Sequence, residues 1–240
     1  MTRKTRACAA AMACLLCAST IALGQTALPP EIPIFPLEPT MLFPGVSRPL
    51  HIFEPRYRAM VADALKGDRI IGMVTFKPGY EADYAGRPPI YEIGCAGIIT
   101  EVQELPGGRF NIVLRGLVKF RVTSEDHSRP YRLARVNPLP EVLTDTQRAE
   151  LHERRQKLEA LVTKGSDSKV ESGTSDEELI NMVAQYLPMD QRRRQQLLEL
   201  ANLLLRAEAL IELIESKAAI TVLARDAVFQ RSRARSARMD

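Results

Sequence analysis

Apolar residues recur with a period of two up to about Asn137, and from Thr144 onward with a period of about three and a half. The first part therefore predicts strands and the second helices. Ile32, Ile34 and Leu37 are interrupted by Pro33 and Pro36, which cannot donate ladder hydrogen bonds, so this segment is expected at a sheet edge or as irregular chain. Phe43-Pro44-Gly45 reads as a type II turn, with proline fixing φ and glycine free to take a positive φ. A strand follows at about Arg48 to Phe53. Pro55 then suits the first position of a helix in which Tyr57, Met60, Val61, Ala64 and Leu65 share a face until Gly67. Arg69 to Phe76 is too short and β-branched for another helix. Ile90 to Leu105 and Arg109 to Val122, joined by Pro106-Gly107-Gly108, form a hairpin, with Gly116 and either Gly94 or Gly97 marking bulges or bends. Tyr131 to Val136 is the last strand.

The helices are marked by their starts. Thr144-x-x-Gln147 and Ser175-x-x-Glu178 are capping-box patterns, and Asp190 and Asn202 are candidate caps for two more helices. Leu151, Leu158, Leu161 and Val162 stripe the first helix. Leu179, Ile180, Val183, Ala184 and Leu187 stripe the second, which Pro188 ends, and Leu203, Ala207, Leu210, Ile211 and Ile214 stripe the last.

Three blocks carry a family likeness. Pro33, Phe35, Pro36, Leu37, Phe43, Pro44, Gly45, Pro49, Leu50, Phe53 and Tyr57 form the first, Tyr91 to Ile99 the second, and Val113 to Val122 the third. In order and spacing the chain resembles the N-terminal substrate-binding domain of Lon-type proteases, and the later helices resemble the helical subdomain that follows it. The resemblance implies an α+β fold. A bent, β-barrel-like sheet of the pseudouridine-synthase-associated (PUA-like) type, with one packed helix, precedes a C-terminal helical bundle. The expected division is a β domain at 31–138 and a helical subdomain at 139–224.

The ends alter the reading of charge. Arg3, Lys4 and Arg6 precede the uncharged run Ala7 to Leu23 and the small-x-small site Ala22-Leu23-Gly24, which predicts a signal peptide at 1–24 and export to the periplasm or medium. The alternative is an uncleaved anchor at 7–23. Cleavage removes three of the four cysteines, leaving Cys95 and no internal disulfide, and lowers the formal charge from +4 to +1. Arg225, Arg231, Arg233, Arg235 and Arg238 then place a basic, disordered tail at 225–240 on a body that is slightly acidic. Aromatic residues are not interleaved with these arginines, which argues against a nucleic-acid site.

Catalytic and cofactor motifs are sparse. The chain holds no Gly-x-x-x-x-Gly-Lys-Ser/Thr loop and no Gly-x-Ser-x-Gly. His51, His127 and His152 stand apart without ligand partners at metal spacing, so no metal or cofactor is expected. Cys95 reads as a small buried hydrophobe, His51 as packing beside Phe53, and Glu54 with Arg56 as an ion pair at a helix start. The resemblance implies recognition without the ATPase or the peptidase: a non-catalytic module holding unfolded or exposed apolar polypeptide segments. The alternatives are an adaptor for a separate protease and a self-associating envelope protein. The expected contact residues are Met41 and Phe43, at an exposed turn, and Tyr80 and Tyr84, in the loop from Lys77 to Pro89.

Overall fold

The computed structural model describes residues 28–38, 40–80, 86–164 and 170–216. The expected signal at 1–24, Tyr84 and the basic tail lie outside them. Along the chain run β1 (Glu31–Pro36), β2 (Ser47–Ile52), α1 (Pro55–Lys66), β3 (Ile70–Val74), β4 (Ile93–Leu105), β5 (Arg109–Asp126) and β6 (Arg132–Leu139). Then come α2 (Asp145–Thr163), α3 (Asp176–Tyr186), α4 (Gln191–Glu199) and α5 (203–216).

The long strand β5 organises the sheet. One edge pairs with β4 along the hairpin; the other pairs first with β2, from Phe110 to Arg115, and then with β6, from Lys119 to Asp126. Because β6 also pairs with β1, β1 with β3 and β3 with β4, the pairings lead round to β5 again. The result is barrel-like and bent, not a regular barrel, because β2 and β6 share one edge of β5 and register shifts break the ladders.

The expectation that the first strand sits at an edge is overturned: β1 has a partner on each side. The prolines are tolerated because the pairings are staggered. β6 covers Glu31 to Ile34 and β3 covers Ile34 to Pro36, so Pro33 lies outside the β3 pairing and Pro36 outside the β6 pairing.

The two sheet faces bury different cores. Ile32, Ile34, Val74, Ala96, Phe120 and Ala134 share the enclosed cluster. On the other face Tyr57, Met60, Val61 and Ala64 of α1 pack with Phe35, Ile71 and Met73, and that cluster continues into Leu158, Ile180, Leu197 and Leu210 of the helices. A bulge at Leu117, between the pairs Gly97–Gly116 and Ala96–Val118, swaps the faces within β5. Phe110, Ile112 and Leu114 face the helix side before it; after it Phe120 joins the enclosed cluster.

The caps form where the sequence places them. Thr144 completes a reciprocal capping box with Gln147, while Ser175, Asp190 and Asn202 accept backbone N–H groups of Glu178, Arg193 and Leu205. The turn at Phe43–Val46 closes with a 3.2 Å bond from Val46 N–H to the Phe43 carbonyl, and Gly45 sits at φ +75°. It lies directly on β5: Gly45 N–H donates to the Gly116 carbonyl and Gly116 N–H to the Val46 carbonyl, both at 2.9 Å.

A Cβ on Gly116 would stand 2.1 Å from the Phe43 carbonyl oxygen, whereas one on Gly67 meets nothing within 4 Å. Gly116→Ala is expected to lower the unfolding free energy by about 2–4 kcal/mol in urea titration, with Gly67→Ala changing it by less than about 1 kcal/mol.

Candidate functional site

One buried polar network fixes the helices on the sheet. The Arg206 guanidinium, 0% exposed, donates from Nη1 to Glu141 Oε2 at 3.0 Å and Asn181 Oδ1 at 2.7 Å, from Nη2 to Glu141 Oε1 at 2.6 Å, and from Nε to the Leu197 carbonyl at 3.0 Å. Its carbon centre lies 5.5 Å from the centroid of the Phe43 ring. Lys119 Nζ shares the same carboxylate, 2.7 Å from Glu141 Oε1, and donates to the Leu200 carbonyl at 2.5 Å. Burial pulls the Lys119 pKa down, against the Glu141 carboxylate, which raises it.

Two residues of α3 hold the turn below. Phe43 N–H donates to Gln185 Oε1 at 3.0 Å, and Asn181 Nδ2 donates to the Pro44 carbonyl at 3.0 Å. Gln185 Nε2 and the Tyr186 hydroxyl both donate to the Ser47 carbonyl, at 3.3 and 3.0 Å.

These contacts correct the expected exposure of two candidate residues. Met41 and Phe43 are not at an exposed turn; they are buried in the core shared by sheet and helices, because α3 and α5 cover the segment. Tyr80 is half-exposed in its loop. Two exposed side chains stand elsewhere: Phe53, 60% exposed, and His51, whose rings stack with centroids 5.9 Å apart. The signal for Phe53 was in the sequence. It precedes the helix cap Glu54, a position that often staples onto the fourth helical residue, but that residue is Arg58 and offers no apolar partner.

Phe53 follows a strand with one open edge, since among the described residues β2 pairs with β5 alone. The ladder's phase fixes which groups face that edge. Gly116 N–H donates to the Val46 carbonyl, so residues 46, 48, 50 and 52 turn their backbone groups toward β5, and 47, 49 and 51 turn theirs away. The bonds that α3 makes to the Ser47 carbonyl agree with this phase. Beyond Ser47 the edge presents the Pro49 carbonyl and the N–H and carbonyl of His51, with no partner among the described residues. Pro49 has no N–H to lose.

Beside the edge a shallow depression of about 520 Å³ crosses β2, β5 and β4 over Pro49, His51, Asn111, Val113, Glu101 and Gln103. A polar ladder spans it: Asn111 Nδ2 donates to Gln103 Oε1 at 2.9 Å, leaving Asn111 Oδ1 to accept from His51 Nδ1 at 2.7 Å.

Other chemistry is sparse among the described residues. No three His, Cys, Asp or Glu gather as for a metal ion, and no helix is long and apolar enough to cross a membrane. Cys95 is enclosed, and burial pushes its thiol pKa far up, so it is no nucleophile in the folded chain. Arg56 meets Glu54 at 3.1 Å at the start of α1.

The comparisons with known proteins agree with this architecture. Residues 31–216 match the family described as the ATP-dependent protease La (LON) substrate-binding domain. The chain is 26% identical to Lon protease 2 of Myxococcus xanthus over 211 residues, 84% of this chain and 25% of that protein. It is 33% identical to the Lon protease of Dictyoglomus thermophilum over 125 residues, 52% of this chain and 16% of that one. The fold is shared with the N-terminal domain of the Mycobacterium avium complex Lon protease, at a TM-score of 0.57 and 18% identity, over 77% of this chain and 98% of that one. A Lon N-terminal domain protein from Xanthomonas campestris gives 0.56 and 22%, over 76% and 97%.

A bent mixed sheet joined through one core to a helical bundle is thus the architecture that this chain shares with those Lon N-terminal domains. The chain belongs to the Lon substrate-binding domain family. It spans about a quarter of the length of Lon protease 2 of Myxococcus xanthus.

The network makes unequal demands on its members. Glu141→Gln leaves two buried cations without their carboxylate and is expected to cost about 3–5 kcal/mol of stability. Lys119→Met leaves the balanced Arg206–Glu141 pair and is expected to cost less than about 1 kcal/mol. Urea unfolding midpoints of the two variants measure the difference.

Proposed function

We propose that this chain is a non-catalytic module that binds extended, apolar segments of other polypeptides along the open edge of β2. The observation that carries the reading is the open edge from Pro49 to Phe53, where the outward main-chain groups of Pro49 and His51 have no partner among the described residues and stand beside an uncovered aromatic ring. A segment laid against it pairs its backbone with His51 and the Pro49 carbonyl, and sets an apolar side chain against Phe53. Main-chain pairing is indifferent to sequence, and the ring adds about 1–3 kcal/mol for a buried apolar partner. Membership in a substrate-binding family supports recognition as the task; delivery of the bound segment to a separate protease extends this proposal.

The ladder's phase supplies a clean test. Proline at 51 removes an N–H that β5 does not use, so His51→Pro is expected to keep the melting temperature within a few degrees and to weaken binding of fluorescein-labelled, leucine- and valine-rich peptides by about tenfold. His51→Ala, which keeps the N–H, should bind nearly as the parent does, and Phe53→Ser should lose a similar factor to His51→Pro. Equal binding by all four proteins would reject the edge as the site. Incubated with casein, with or without ATP, the purified chain should leave the substrate intact.

A further inference from the structure

Because β2 and β6 lie end to end along one edge of β5, residues 116–118 fall between them. A pocket of about 430 Å³ opens at this gap, within the roughly 300–1,000 Å³ common for ligand sites. Leu117, Val118 and Leu139 of the sheet and Leu203 of α5 give it apolar walls. Leu117 is the bulged residue, and bulges re-aim side chains where strand pairing stops. Pro44, Pro138 and Pro140 flank the gap and offer no N–H groups to a ligand.

The pocket also borders an unbalanced charge. Lys119 and Glu141 are among its lining residues, and Glu141 is the carboxylate that Lys119 and Arg206 share. The side chains of the two cations are 4% and 0% exposed, so the network buries two positive charges against one negative. Glu177 also lines the pocket, but it is exposed and bonds to neither cation. A buried surplus cation is costly, and an anion entering beside it recovers part of that cost, less its own desolvation and the repulsion of the neighbouring carboxylates.

We infer that this pocket takes the C-terminal residue of a polypeptide, its apolar side chain against Leu117, Leu139 and Leu203 and its free carboxylate toward Lys119. The inference rests on the reading that the chain binds other polypeptides, and adds to the β2 edge a second contact that reads a chain end. Glu177, an exposed member of the lining, would accept the N–H of the terminal peptide group, a contact that an alkyl carboxylate does not make.

The experiment compares two fluorescein-labelled peptides of one sequence ending in Ala-Leu, one as the free acid and one as the amide, by anisotropy on the full chain. The free acid is expected to bind about tenfold more tightly. Lys119→Met, with its fold checked by thermal melting, and Leu139→Trp, which fills the pocket, should both abolish the difference while the amide still binds in a way that His51→Pro weakens. Equal affinity of acid and amide for the parent protein overturns this inference and leaves the edge reading standing. Failure of both peptides to bind overturns the two together. Decanoate that binds the parent more tightly than the acid peptide, and displaces it, overturns the assignment to a polypeptide terminus.

Discussion

A guanidinium sealed from water can persist in a folded chain only if each strong partner is delivered to it, because an unpaired buried charge costs several kcal/mol. Arg206 receives Glu141 from the link between β6 and α2, Asn181 from α3 and a carbonyl at the end of α4. Those partners come from widely separated parts of the sequence, so satisfying one side chain fixes three helices against the sheet. Phe43 lies under the guanidinium, and its turn rests on Gly116. The seam between sheet and helices is therefore polar at its centre and apolar around it. The polar centre selects one geometry; the surrounding leucines supply most of the burial.

Most of the fold was legible because its signals are local. The hairpin turn, the helix stripes and the caps at Thr144, Ser175, Asp190 and Asn202 depend on residues within a few positions of one another. The stagger that protects Pro33 and Pro36 was not legible, since it depends on where β3 and β6 begin and end, and a proline alone reads as an edge. The bulge was foreseen at Gly116, but not that one extra residue would send Phe120 to the enclosed face and Lys119 to the helix side. Arg206 could have been noticed, standing on the stripe between Leu203 and Leu210; a cation inside an apolar stripe needs a buried anion.

The burial of the Met41–Phe43 segment was not legible, for a physical reason. Met41 and Phe43 looked exposed because turns usually lie at the surface. This turn is sandwiched between β5 and α3, and the α3 residues that cover it, Asn181 and Gln185, are polar residues on the buried side of their helix. Exposure belongs instead to Phe53, one strand later. The recognition surface proposed on the β2 backbone would leave little trace in side-chain patterns, because its donors and acceptors are the peptide groups every residue carries.

The end-to-end arrangement of β2 and β6 has a wider consequence. Neither strand can lengthen to meet the other: the Phe43–Val46 turn blocks one end, and Pro140, just past the last pair, stops the other. The gap is set by chain connectivity, not by the particular leucines around it. Substitution can change its lining, size or polarity, but erasing it would require rerouting the chain. That makes the notch a durable foothold on which new binding preferences can accumulate without disturbing the scaffold.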